Sequence, residues 1–97
     1  MYETITIDLE EAKFILGDEF SFFQEVTATN VFCSNCFRTE SVVGMQIKSI
    51  QLFSNNDVGA KGTCRTCGGS VARLIEVGDN PEVHNRAIAF RRMRYLS

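Results

Sequence analysis

The chain has no tryptophan, one proline, one histidine and four cysteines in 97 residues. Each scarcity excludes something. With His84 alone, no Ser-His-Asp set can be argued, and no glycine-rich phosphate loop or nucleophile elbow is present. One proline beside 44% apolar and 23% charged residues excludes a Pro-rich, low-complexity or disordered chain. No run approaches the ~20 apolar residues of a membrane span. The opening "MYETITIDLEEAK" lacks the basic and apolar regions of a secretory signal, so the cytoplasm is the expected compartment. Stable disulfides are not expected there. The length suits one small domain whose core would benefit from a staple.

Charge is unevenly spread. Residues 1–32 hold seven acids against Lys13, a balance of −6, while residues 33–97 hold nine bases against five acids, a balance of +4. The basic excess is densest in "RAIAFRRMR". It suits an anionic partner, an attraction between the two parts of the chain, or plain solvated faces. A pI near 5.3 lies far below the pI above about 9 of a committed nucleic-acid binder.

The local pattern predicts an α+β chain. "YETITI" alternates as a short strand. Asp8 as N-cap, Glu11 three residues on and Gly17 as a stop predict a helix over 9–16. Glu10 and Glu11 are then first-turn charges, not an acid/base pair. "EFSFFQEVT", rich in aromatic and β-branched residues, reads as a strand. "SVVGMQIKSIQLF" alternates until its phase slips near Ser49, which predicts a β-bulge there. "SNNDVG" reads as a turn. "SVARLIEV" fits either period, and its β-branched residues favour a strand. Asn80, Pro81 and Glu82 open a helix running to about 95, with Val83, Ala87, Phe90 and Met93 on one stripe.

The four cysteines stand as two pairs, "CSNC" at 33–36 and "CRTCGG" at 64–69, in the spacing C-x2-C-x27-C-x2-C. A two-residue gap lets both sulfurs turn toward one ion, and two such turns complete the tetrahedron zinc prefers. Gly68 after Cys67 tolerates a left-handed backbone. The matching position in the first pair is Phe37, so that turn is either less tightly wound or sealed by the phenylalanine. Cys33, Cys36, Cys64 and Cys67 are therefore the expected ligands of one Zn2+ per chain. Four thiolates close the site to substrate water, which makes it structural. They also suit a rubredoxin-like iron site. The rival is a redox dithiol, but neither pair sits in a βαβ context. His84 sits on no ligand motif.

On "FCSNC" and "CRTCGG", each ahead of a run that can be a strand, the chain resembles the zinc-ribbon group, with its rubredoxin-type knuckles, over about 31–77. The resemblance implies a small antiparallel β ribbon, here with a short N-terminal helix and a C-terminal helix. The expected organisation is a single domain over 1–97: a strand-helix-strand extension over 1–30, the ribbon over 31–77 and the helix over 78–97. A treble-clef finger is the alternative if "SVARLIEV" is helical.

The reading for function is a recognition or regulatory module binding a protein or a nucleic acid, with no membrane and no small-molecule substrate indicated and a homo-oligomer left open. A small enzyme with a structural zinc and an unassigned site is the alternative, and no catalytic residue is nominated. Arg38, Lys48, Lys61, Arg65 and Arg73 could line a ribbon face and Arg86, Arg91, Arg92 and Arg94 the terminal helix, with Phe32 and Phe37 for stacking. The acidic first third favours a protein partner, because it would repel phosphates.

Overall fold

A reciprocal pair of hydrogen bonds starts the first helix. In the computed structural model, which describes residues 2–96, the Glu11 amide donates to the Asp8 carboxylate and the Asp8 amide to the Glu11 carboxylate, both at 2.8 Å. This capping box sets α1 (Leu9–Leu16). Gly17, at φ 54, ends it with its N–H on the Lys13 carbonyl. The left-handed angle favours glycine here, and a Cβ would stand 2.6 Å from the Arg86 guanidinium.

The expected strand over "EFSFFQEVT" is a helix instead. A single 3-10 turn, Gly17–Glu19, leads into α2 (Phe20–Thr29). The physical reason is the spacing. Phe20, Phe23, Val26 and Thr27 fall on one helical stripe, and the last three are buried. The threonines, poor helix formers, satisfy their hydroxyls within the helix, Thr27 on the Phe23 carbonyl at 2.9 Å and Thr29 on the Glu25 carbonyl at 2.8 Å. Burial of the stripe overrides the β propensity of the individual residues.

Four strands form an antiparallel meander in chain order: β1 (Ile5–Ile7), β2 (Met45–Leu52), β3 (Val58–Cys64) and β4 (Ser70–Ile75). The phase slip is a β-bulge. The β2–β3 register shifts between Ile47 and Ser49, so Lys48 is the extra residue. Close by, a Cβ on Gly62 would stand 1.9 Å from the Gln46 carbonyl oxygen, so only glycine fits. "SVARLIEV" supplies β4, a strand and not a helix.

Ile7, Met45, Ile50, Leu52, Val58, Ala60, Val71 and Ile75 are buried and share a core with Ala12, Ile15 and Leu16 of α1 and with Phe23 and Val26 of α2. Helix α3 (Pro81–Leu96) is capped by the Asn80 side chain, which accepts from the amides of Glu82 at 3.0 Å and Val83 at 3.3 Å. Its Val83, Ala87 and Phe90 are buried as the stripe predicts, whereas Met93 is 54% exposed. The body measures 46 × 22 × 22 Å. The cysteine turn after β3 lies at one end of the sheet, and the β2–β3 turn at the other.

Candidate metal centre

The second cysteine turn is wound by glycine. Cys64 ends β3, and the Gly68 amide donates to its carbonyl at 2.8 Å, with Gly68 at φ 79. The Cys64 amide donates to the Gly69 carbonyl at 2.8 Å, closing the turn. Two amides then point at sulfur: Thr66 N–H to Cys64 Sγ at 3.3 Å and Gly69 N–H to Cys67 Sγ at 3.4 Å. Gly69 has a second role. A Cβ there would meet the end of the Asn35 side chain at 2.5 Å, so the two turns lie in close contact at this point.

The first turn follows α2 and is bracketed by a bridge between Val31 and Val43, with both amide-to-carbonyl bonds under 3 Å. It winds in right-handed form. The Cys36 amide donates to the Cys33 carbonyl at 3.1 Å, and the amides of Thr39 and Glu40 both donate to the Cys36 carbonyl at 2.8 Å. The turn tightens after Cys36 without a left-handed residue, so Phe37 is tolerated where the other turn has glycine. Phe37 does not seal the centre. It is 56% exposed, with the Arg38 guanidinium 5.6 Å from its ring centroid.

Together the turns bring four sulfurs within 4.8 Å of one another. Cys33 Sγ is 3.5 Å from Cys67 Sγ, and Cys36 Sγ is 3.9 Å from Cys64 Sγ. Cys33, Cys36 and Cys64 are buried, and Cys67 is exposed. Burial, reinforced by the neighbouring thiols of Cys67, Cys33 and Cys64, pushes the Cys36 thiol up to about 12. Burial acts to raise Cys64, but the backbone amides of Cys67 and Thr66 together with the thiols of Cys67 and Cys33 outweigh it and bring that thiol down to about 7. The four sulfurs could hold a metal ion, which would favour their thiolate forms. Sulfur donors, amide support and the dry flank fit a soft or borderline metal ion.

His84 is remote from the thiols. Its Nδ1 accepts from the Asn56 side-chain amide at 3.2 Å, beside the β2–β3 turn.

The basic residues differ in exposure and in the contacts they make. Arg38, Lys48, Lys61 and Arg92 are exposed. Arg65 is exposed and donates through Nε to the Met45 carbonyl at 3.2 Å. Arg73 reaches from β4 to the Asn30 carbonyl at 3.1 Å. Three arginines of α3 engage groups within the chain. Arg86 donates to the carbonyls of Ile15 at 2.9 Å and Leu16 at 3.1 Å, and so caps the C-terminus of α1. Arg94 pairs with Glu11 at 3.9 Å. Arg91, expected on a partner-facing surface, is 6% exposed. Its guanidinium donates to Asn56 Oδ1, the Phe53 carbonyl and the Glu3 carbonyl, with the Tyr2 ring 5.0 Å away. The acidic N-terminal part and the basic helix thus meet each other.

The sequence reading missed the cluster of Glu3, Phe53, Asn56 and Arg91. A signal was present: Arg91 stands four residues after Ala87 and eight after Val83, on the buried stripe of α3.

Compared with known proteins, the chain matches no family model, no curated protein and no solved structure.

Proposed function

We propose that Cys33, Cys36, Cys64 and Cys67 hold one structural zinc ion in a zinc-ribbon-like arrangement, and that the body fixed in this way is a recognition module for a protein partner. The carrying observation is the convergence of four sulfurs, from two turns 27 residues apart, within 4.8 Å. The ribbon reading is supported by β4, which follows the second turn directly; a treble clef would need a helix there. Zinc cross-links the end of the sheet to the segment after α2, a contact that a core this small is short of. The protein-partner reading is supported by α3, whose Arg86 and Arg91 are engaged within the chain and so withdrawn from a phosphate-binding surface.

Elemental analysis of the purified chain tests the metal. One zinc per chain, with four thiols freed by chelator, supports the site. Iron in its place, or metal-free thiols that cycle to disulfides, would overturn it. The salt dependence of partner binding tests the recognition reading, since phosphate-driven association weakens steeply with salt.

A further inference from the structure

Strand β1 is only three residues long and pairs with the second half of β2, where Ile5 meets Leu52 and Ile7 meets Ile50. The chain then leaves the sheet at Asp8 to begin α1. The first half of β2, 45–49, pairs with β3 on one side and, among the described residues, with no strand on the other. The lane along which β1 would continue holds a furrow instead. One part, about 440 Å³, lies between β2 and α2 and is lined by Leu9, Thr27, Ala28, Met45, Ile47 and Arg65, among others. It joins, through Leu9 and Ile47, a second part of about 280 Å³ beside Lys48 and Ser49.

Backbone alternation shows what this edge offers. The Arg65 amide donates to the Gly44 carbonyl at 3.0 Å, so Gly44 turns its polar groups toward β3. In an antiparallel ladder the next residue turns the other way, and so does the one two further on. Met45 and Ile47 therefore direct their N–H and C=O groups into the furrow. The Met45 carbonyl already takes the Arg65 Nε. Ile47 turns both backbone groups toward the furrow, with its half-buried side chain as the floor. A cation stands at each end, Arg65 and Lys48, both exposed. The one carboxylate on the wall, Asp8, is held by the Glu11 amide.

We infer that the open half of β2 is a strand-addition site for an extended, acidic segment of a protein partner, which would pair with Ile47 and set its carboxylates against Arg65 and Lys48. This deepens the recognition reading above and rests on it. Main-chain bonds would supply the affinity, and the apolar furrow and flanking cations the choice of sequence. A partner residue opposite Ile47 would drop its side chain between Leu9 and α2, so that position should be apolar.

Amide exchange and a peptide titration of the full, metal-loaded chain test this by NMR. In the protein alone, the Ile47 amide should exchange at least ~100-fold faster than the Ile50 amide, which β1 covers. Equal protection, or scattering that shows a dimer sealed through β2, would overturn the proposal. The probe is a peptide of about eight residues, strand length, alternating valine and glutamate. It should shift the Ile47 and Lys48 resonances and slow Ile47 exchange. The same peptide N-methylated at alternate residues should fail to bind. A Lys48→Glu variant should bind about tenfold more weakly with its melting curve and metal content unchanged. No binding by the probe, equal binding by the N-methylated or valine-lysine peptide, or the same shifts from single-stranded DNA would each contradict the assignment. Metal content is measured separately, so failure here removes the partner assignment and leaves the four-cysteine site standing.

Discussion

Arg91 Nε donates to Asn56 Oδ1 at 3.0 Å, and both residues are buried. This contact ties α3 to the β2–β3 turn, at the end of the sheet away from the cysteines. Asn56 is held at φ 69, an angle that asparagine tolerates better than most residues. Its oxygen accepts from Arg91, which directs its amide nitrogen to His84 Nδ1. Four cysteine sulfurs thus converge at one end of the sheet, and a guanidinium bridges groups at the other.

Replacing Arg91 should be costly. Arg91→Ala leaves the carbonyls of Glu3 and Phe53 and the Asn56 oxygen without their donor. Buried acceptors stripped of a charged partner imply a loss of about 3 kcal/mol. For a domain of this size the melting temperature would fall by roughly 10–20 °C. Arg91→Lys should rescue little, since one ammonium cannot reach three acceptors set around a planar fork. Thermal melts of the metal-loaded variants check this, with metal content unchanged in both.

Two glycines should separate in the opposite order from what an inspection of backbone angles suggests. Gly68→Ala meets no neighbouring atom within 4 Å and bears only the left-handed strain at φ 79, so it should cost about 1 kcal/mol. Gly62→Ala has an ordinary angle but would press on the Gln46 carbonyl at 1.9 Å, and should cost about 3 kcal/mol, the upper range for overpacking. Denaturant unfolding of both variants gives the order directly.

Metal loading should release protons. Burial raises Cys36 to about 12, so it keeps its proton at neutral pH, and Cys64, at about 7, is there about half ionised. A metal ion must displace what they hold, so apparent affinity should fall as the pH is lowered from about 8 to 6. Titration in weakly buffered solution with a pH indicator, alongside competition with a chelator, reads both effects. Affinity independent of pH would contradict thiol ligation.

His84→Ala should leave metal content unchanged and cost about 1 kcal/mol for the lost Asn56 contact. Elemental analysis and melting of the variant separate the two effects. A lost equivalent of metal would show that the histidine is a ligand.

These tests follow the division between what the sequence exposes and what only packing decides. The capping box at Asp8 and Glu11, the slip near Ser49 and the paired cysteines are local signals, written within a few residues, and all three have their expected counterparts in the fold. Helix α2 was hidden because Phe22, Phe23, Val26 and Thr27 carry strand propensity one by one, and only the partner surface reveals that their spacing is helical. Arg91 was hidden because a guanidinium in a run of arginines reads as solvated. Its acceptors, Glu3, Phe53 and Asn56, lie 88, 38 and 35 residues away. The short reach of β1, and with it the open edge of β2, depends on where the chain turns into α1.

The most direct test of the account is elemental analysis joined to native mass spectrometry, on the wild-type chain and on Cys64→Ser. One zinc per wild-type chain is expected, with none retained by the variant and the loss of its cooperative melting transition, because metal binding and folding are coupled. A wild-type chain without metal, or a Cys64→Ser variant that melts as the wild type does, would contradict a structural site built by Cys33, Cys36, Cys64 and Cys67.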